Sequence, residues 1–306
     1  VLSSERVRVA LVQTKPAKGR YVENLATARE AFAELAGDRP QLIVFPEAAF
    51  TGYFLEGAVY DLALDAQTFA ADLTDTWRAA CGGGAVDIVA GFFENAGGTF
   101  YNSALYLRIE NGDGRIVHVH RKLFLPTYGV FDEERFLSRG RDLGVFESVG
   151  GPTAVVVCED AWHSVVPMMA AIKGARLLIV PSASPGRGID NGGSGELTSV
   201  TRWRNTLQIA AAEHGIFILY AGLAGFEGGK GMTGNSCAID PWGDVLVQAP
   251  ALGAAIVRVD LDLREIELAR ANLPLLGDLR AVLPDLLLDR AWPLARDERG
   301  DDVPTD

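Results

Sequence analysis

The stretch "VVVCEDAWH" (155–163) puts a thiol, Cys158, at the end of a β-branched run and directly before two carboxylates, Glu159 and Asp160. Neighbouring carboxylates oppose the thiolate, which is the reactive form. Taken alone, Cys158 reads as a buried packing residue, the usual fate of a free cysteine. Two other residues change that reading. Glu47 follows "LIVFP" and Lys122 ends "RIVHVHR". A thiol needs a base, and the carbonyl it attacks needs an electrophilic partner. Glu47 can take the thiol proton and later protonate a leaving amine. Lys122 can hold the thiolate and then the oxyanion, and a backbone N–H after Cys158, at a strand-to-helix turn, can supply a second oxyanion donor.

The elements that must position these groups are legible from periodicity. "RVRVALVQ" (6–13) reads as a strand, and "VENLATAREAFAELAG" as a helix, with Asn24 as its cap and Gly37 as its stop. "QLIVF" (41–45) is a buried strand, and a helix over 66–80 leads to the strand "VDIVAGFF". "SALYLRIENGDGRIVHVHRK" is a hairpin turning at Asn111 to Gly114. "TAVVV" is a strand, "HSVVPMMAAIKGA" a helix that tolerates Pro167 in its first turn, and "RLLIVPS" a strand. A helix over 198–213 precedes the strand "IFILYAG", "NSCAIDPWGDVLVQAP" is a hairpin, and "DLDLREIELARANLPLL" is a helix with an exit segment. The alternation has no Pro/Ser linker, so one α/β domain with helix layers around sheet is expected. Glu47, Lys122 and Cys158 each stand at or just past the carboxyl end of a strand, the edge where open α/β folds bind ligands. The glycine-rich stretch 185–197 reads as a mobile loop near that edge.

Composition narrows the function classes. The 306 residues are 48% hydrophobic and 22% charged, which suits a globular protein with a real core. A net charge of −12 argues against a nucleic-acid or anionic-membrane surface, since either demands a basic face. No signal peptide or transmembrane window is read, and a cytoplasmic location is the expectation. Cys81, Cys158 and Cys237 are scattered, with no CxxC pair, so neither a disulfide framework nor a zinc site is suggested.

The blocks "FPEAAFTGY", "HRKLFLPTYGVFDEERF" and "VVVCEDAWH" resemble the signature blocks of the nitrilase, or carbon–nitrogen hydrolase, superfamily, over residues 6 to 290. The resemblance implies a four-layer α-β-β-α sandwich, with a single hydrolase domain over 1–290 and a tail over 291–306. It implies Glu47 as general base and acid, Lys122 as oxyanion stabiliser, Cys158 as nucleophile, and Glu133 as a glutamate that holds the lysine and helps position substrate. The combination "LPTYGVFDEERF", "CEDAW" and "SASP" is most similar to the glutaminase domain of glutamine-dependent NAD synthetases, and no ligase domain is expected with it. That similarity implies Glu159 as the contact to a substrate α-amino group and Trp162 as a pocket wall. Tyr128, Ser184 and Arg187 are implied as further substrate contacts. Two departures border that pocket: the glycine-rich loop is longer than the synthetase pattern, and Pro181 stands where an Asn is common.

The expected activity is therefore hydrolysis of a small, glutamine-like carboxamide to acid and ammonia through a cysteine thioester, with no metal or organic cofactor. The alternatives are an N-carbamoyl or ω-amide hydrolase, or an ammonia-donating subunit that depends on a synthetase partner. By analogy with the superfamily, a homodimer or larger homo-oligomer is expected. Other residues take blander readings. His118 and His120 are ordinary strand histidines rather than a metal pair, and His163 is a weaker base candidate than Glu47. Asp160 is a helix-start residue, Tyr53 a packing or pocket residue, and Cys81 and Cys237 are inert. "GDG" and "GGSG" lack the GK[ST] of a phosphate loop.

Overall fold

In "RVRVALVQ" the side-chain alternation of a strand sends Val7, Val9 and Leu11 to one hydrophobic core and Ala10 and Val12 to another. A strand apolar on both faces must lie between two layers, and that sets the architecture. The computed structural model describes residues 6–188 and 196–288. The middle of the glycine-rich stretch, 189–195, and the 291–306 tail lie outside the described residues.

The first half of the chain runs β1 (Arg6–Gln13), α1 (Tyr21–Leu35), β2 (Leu42–Val44), α2 (Val59–Leu62), α3 (Ala66–Cys81), β3 (Val86–Ala96), β4 (Thr99–Glu110) and β5 (Asp113–Arg121). The second half runs β6 (Phe146–Ser148), β7 (Gly151–Val155), α4 (Val165–Ile172), β8 (Leu177–Ser182), α5 (Thr198–His214), β9 (Phe217–Gly222), β10 (Ala224–Glu227), β11 (Lys230–Thr233), β12 (Cys237–Ile239) and β13 (Val245–Gln248). The strand β14 (Ala255–Asp262) and helices α6 (Arg264–Asn272) and α7 (Leu275–Leu288) follow.

Two six-stranded sheets result, in the orders β14-β1-β2-β3-β4-β5 and β13-β12-β9-β8-β7-β6. Each has a parallel centre, β1-β2-β3 in one and β7-β8-β9 in the other, with antiparallel strands outside it. The inward faces share one core, where Val9, Leu11, Val44 and Tyr106 meet Val155, Ile179 and Leu219. The outward face of the first sheet packs on α1 and α3 through Phe32, Leu35, Phe69 and Trp77. That of the second packs on α4 and α5 through Ala170, Ala171, Leu207 and Ala211. This is the four-layer α-β-β-α sandwich.

Several local readings change. Asn24 is not a helix cap: α1 begins at Tyr21, and the buried Asn24 amide instead bonds Ala17 and the Phe50 carbonyl, fastening two loops. The segment read as helix from Asp260 begins as strand: "AIVRVDLD" forms β14, antiparallel to β1 over eight residue pairs, and helix starts only at Arg264. A charged, alternating sequence is ambiguous until its partner strand is known. The hairpin β10–β11 was not anticipated. Its buried Glu227 accepts the backbone N–H groups of Tyr53 and Phe54, bracing the loop that follows Glu47.

Candidate active site

Glu47 lies three residues past β2, on a turn that leaves the sheet sharply, with Ala48 at φ 51°. Gly91 on β3 makes room for that turn. A Cβ there would stand 2.5 Å from Glu47 Cα and 2.6 Å from the Pro46 carbonyl oxygen, so only glycine fits. The Glu47 carboxylate is wholly buried. Its Oε1 accepts from Lys122 Nζ at 2.8 Å and Asn102 Nδ2 at 2.7 Å, while Oε2 accepts the Ala183 N–H, just past β8, at 2.6 Å. One carboxylate therefore ties the two sheets together at their carboxyl ends.

Lys122, immediately after β5, is equally buried and donates to Glu47 and, at 2.6 Å, to Glu133 Oε1. Burial alone would pull its pKa down, but the charges of Glu133 and Glu47 outweigh it and hold the ammonium well above the ordinary lysine range. Glu133 is pushed up to about 7, first by burial and against the pull of Lys122, with the Glu47 charge adding to the rise. Its Oε1 also accepts the Tyr53 hydroxyl, while Oε2 is buried with no partner among the described residues. Tyr53, read as a packing or pocket residue, is thus a buried hydrogen-bond donor to this cage.

Cys158 sits at φ 46°, a conformation that costs a non-glycine residue of the order of 1–3 kcal/mol and recurs at functional sites. The turn opens a short 3₁₀ segment, Cys158–Trp162. The Sγ accepts from Ser182 Oγ at 3.2 Å, and Ser182 in turn accepts from the Tyr220 hydroxyl at 3.3 Å. Burial pushes the thiol pKa well up and the Glu47 charge adds to this, while Lys122 and the Ser182 bond pull the other way. A thiol whose pKa is raised in this way depends on a nearby base to become a nucleophile.

Cys158 opens into a cavity of about 500 Å³ lined by Tyr128, Phe131, Glu159, Trp162, Ser184 and Arg187, with Arg202 at its edge. All five residues expected from sequence to touch substrate line it. The Tyr128 hydroxyl donates to Glu159 at 2.9 Å. Trp162 lies 4.6 Å, ring to ring, from Trp203, whose indole N–H donates to Ser184 Oγ. The Arg187 guanidinium packs 4.9 Å from the Phe131 ring, and its Nη2 is buried with no partner among the described residues. A carboxylate and two guanidiniums therefore share one chamber with the thiol. His163 is elsewhere engaged: its ring stacks on Phe124 at 3.7 Å and its Nε2 is 3.8 Å from Glu159.

Sequence reasoning missed Asn102, Ser182, Trp203 and Tyr220, each a polar or amphipathic side chain on a largely apolar strand or helix. Ser182 could have been found, since it opens "SASP" at a strand end beside Ser184. The others needed the sheets to be docked. Among the described residues, no group of His, Cys, Asp or Glu could hold a metal ion, and no helix is long and apolar enough to cross a membrane.

The carbon–nitrogen hydrolase family description matches residues 8–271. The glutamine-dependent NAD(+) synthetase of Thermotoga maritima is 30% identical over 270 residues, which cover 85% of this chain but 43% of the relative. The chain thus spans less than half the length of that relative. The 2-oxoglutaramate amidase of Bacillus subtilis is 27% identical, with 89% of this chain and 97% of the amidase covered. A crystal structure of a carbon–nitrogen hydrolase from Helicobacter pylori superposes with a TM-score of 0.78 at 24% identity, covering 93% of this chain and 99% of that one. It shows the same fold.

Proposed function

The chain belongs to the carbon–nitrogen hydrolase family, and within it we propose an amidase that cleaves the terminal amide of a small amino-acid amide, glutamine or a close analogue, to the acid and ammonia. The observation that carries this reading is the presence of both Glu159 and Arg187 in the lining of the Cys158 chamber. A carboxylate there suits the ammonium of an α-amino acid and a guanidinium suits its carboxylate, leaving the side-chain amide to reach the thiol.

In the proposed chemistry Glu47 takes the Cys158 proton and the sulfur attacks the amide carbon. The Lys122 ammonium and the Glu159 backbone N–H hold the oxyanion. Glu47 returns the proton to the nitrogen, the C–N bond breaks, ammonia leaves, and a thioester remains. Water then attacks that carbonyl, gives a proton to Glu47, and the C–S bond breaks to release the acid and restore the thiol. Glu133 keeps Lys122 in place, and Glu159 acts through its carboxylate on the substrate rather than on the thiol. The domain is read as residues 1–290, with 291–306 a tail.

Two finer readings stay in play, each with its own support. Near-complete coverage of the 2-oxoglutaramate amidase favours an ω-amide of a keto acid, for which the Glu159 carboxylate would lack a cation. Likeness to 43% of the length of an NAD(+) synthetase favours an ammonia donor working with a synthetase partner. Pairing of two copies through the α4–α5 face belongs to the same proposal, supported by the outward side chains of Val165, Met169 and Ile209.

The test is ammonia release from L-glutamine beside 2-oxoglutaramate, a carbamoyl amino acid and plain aliphatic amides, with Cys158→Ala as control. Glutamine leading with a dead control supports the proposal. A keto-acid amide leading moves the substrate, and an active Cys158→Ala protein overturns the mechanism.

A further inference from the structure

Asp160 and His120 form a buried pair that the proposed chemistry does not use. Asp160 is completely buried, and its carboxylate accepts four N–H groups. Oδ1 takes the backbone N–H groups of Leu123 at 2.9 Å and Phe124 at 3.0 Å. Oδ2 takes the Val157 N–H at 3.0 Å and faces His120 Nε2 at 2.8 Å. These donors come from two separate stretches of chain. Val157 directly precedes Cys158, while His120, Leu123 and Phe124 flank Lys122 on both sides. The reading of Asp160 as a helix-start residue captures only the bond to Val157.

The His120 ring is almost as buried, and its Nδ1 has no partner among the described residues. A proton on Nδ1 would be a buried donor with nowhere to go, so hydrogen bonding assigns the neutral tautomer, with the proton on Nε2 and aimed at Asp160. His118, two residues back on the same strand face, stacks on Phe146 at 4.8 Å. His118 thus packs as an ordinary strand histidine, and only His120 does more than fill the strand.

We infer that Asp160 and His120 are positioning residues that fix the Cys158 turn against the end of the strand carrying Lys122, and so set the distance between nucleophile and oxyanion stabiliser. The pair touches neither substrate nor reacting atoms. Its effect on rate exceeds that on binding: of the substrate-end groups, Glu159 rides on the Cys158 turn, but Arg187 and Ser184 hang on other segments. The inference rests on Cys158 being the nucleophile and Lys122 its partner.

The test compares His120→Leu, His120→Gln and Asp160→Asn with the unaltered chain, using its best amide from the panel. Leucine removes the donor; glutamine can place an amide N–H near the former Nε2. In Asp160→Asn, the amide that replaces one oxygen can pair with His120 by a tautomer change, but it cannot accept the Val157 N–H. The expected result is a kcat tenfold or more lower in His120→Leu and Asp160→Asn, with KM within twofold, and at least a third of the rate recovered in His120→Gln. Alkylation of Cys158 by iodoacetamide, followed by mass spectrometry, should slow in the same order. Circular dichroism and melting temperature establish that the variants are folded; if His120→Leu does not fold, Asp160→Asn and His120→Gln still decide. Folded variants with unchanged kcat and alkylation rate overturn the inference, and so does a glutamine variant no better than leucine. An active Cys158→Ala protein would instead show that the underlying nucleophile assignment had failed.

Discussion

The floor and the far end of the Cys158 chamber are built on different principles. On the floor, Glu47, Lys122 and Asn102 are wholly buried, and Glu47 is held by three donors at 2.6–2.8 Å. At the far end, Tyr128 is 53% exposed, and Arg187, beside a glycine-rich stretch, has a nitrogen with no partner among the described residues. A buried charge is tolerated only when paired and hydrogen-bonded, so the floor has one workable arrangement. Of the expected substrate contacts at the far end only Tyr128 is exposed; Glu159 and Ser184 are buried and Arg187 is half-buried. Glu159 is nevertheless held by the Tyr128 hydroxyl rather than by a buried ion pair, so this end can be re-tuned at lower cost. Under the proposed function, the floor breaks the bond and the far end selects the molecule.

The comparison can be broken or sharpened by substitution. The largest effect is expected at the floor. Lys122→Met should lower kcat by about 10³-fold or more, since it removes an oxyanion donor and leaves two buried carboxylates facing each other. Single-turnover kinetics on a folded variant would measure it, and a loss confined to KM would contradict the assignment. Glu133→Gln should cost about 10²-fold and change the pH profile. Glu133 titrates near 7 in the folded chain against an ordinary 4.5, so it binds its proton more tightly when folded. Stability should therefore decline as pH rises from 4.5 through about 7, and activity should climb over the top of that range as the ionised form grips Lys122. Both trends should vanish in Glu133→Gln, as read from kcat and melting temperature at several pH values.

At the far end, Glu159→Gln should reduce kcat/KM for amino-bearing amides by about 10- to 100-fold, the range for a charge-assisted contact, and affect plain amides less. Equal losses on both would place Glu159 with the floor and erase the distinction. The smallest catalytic effect is expected from Gly91→Ala, which acts on Glu47 only through the backbone. It should lower the melting temperature and reduce kcat while leaving the relative preference among amides unchanged, as a competition assay would report.

Legibility followed the same division. Glu47, Lys122 and Cys158 could be found because each stands at or just past the end of a strand-like run, where strand period and chemistry coincide in a few residues. Glu133 and the pocket residues came through family resemblance rather than periodicity, because they sit in turns and loops. Asn102 and Tyr220 gave no signal, since a single polar residue in an apolar strand looks the same whether its partner is water or a catalytic carboxylate. Asn24 looked like a cap because Asn favours helix starts, yet its amide is spent on two loop carbonyls and one N–H that only tertiary packing brings near.

The sequence by itself determined the strand–helix alternation, the apolar faces and the family, because these depend on residue order over short windows. Only the tertiary structure decided that β14 returns to pair with β1, that Glu47 bonds Ala183 on the opposite sheet, and that Asp160 clasps the flanks of Lys122. Those contacts join residues far apart in the chain, and their geometry exists only once both sheets are docked and water has been excluded from between them.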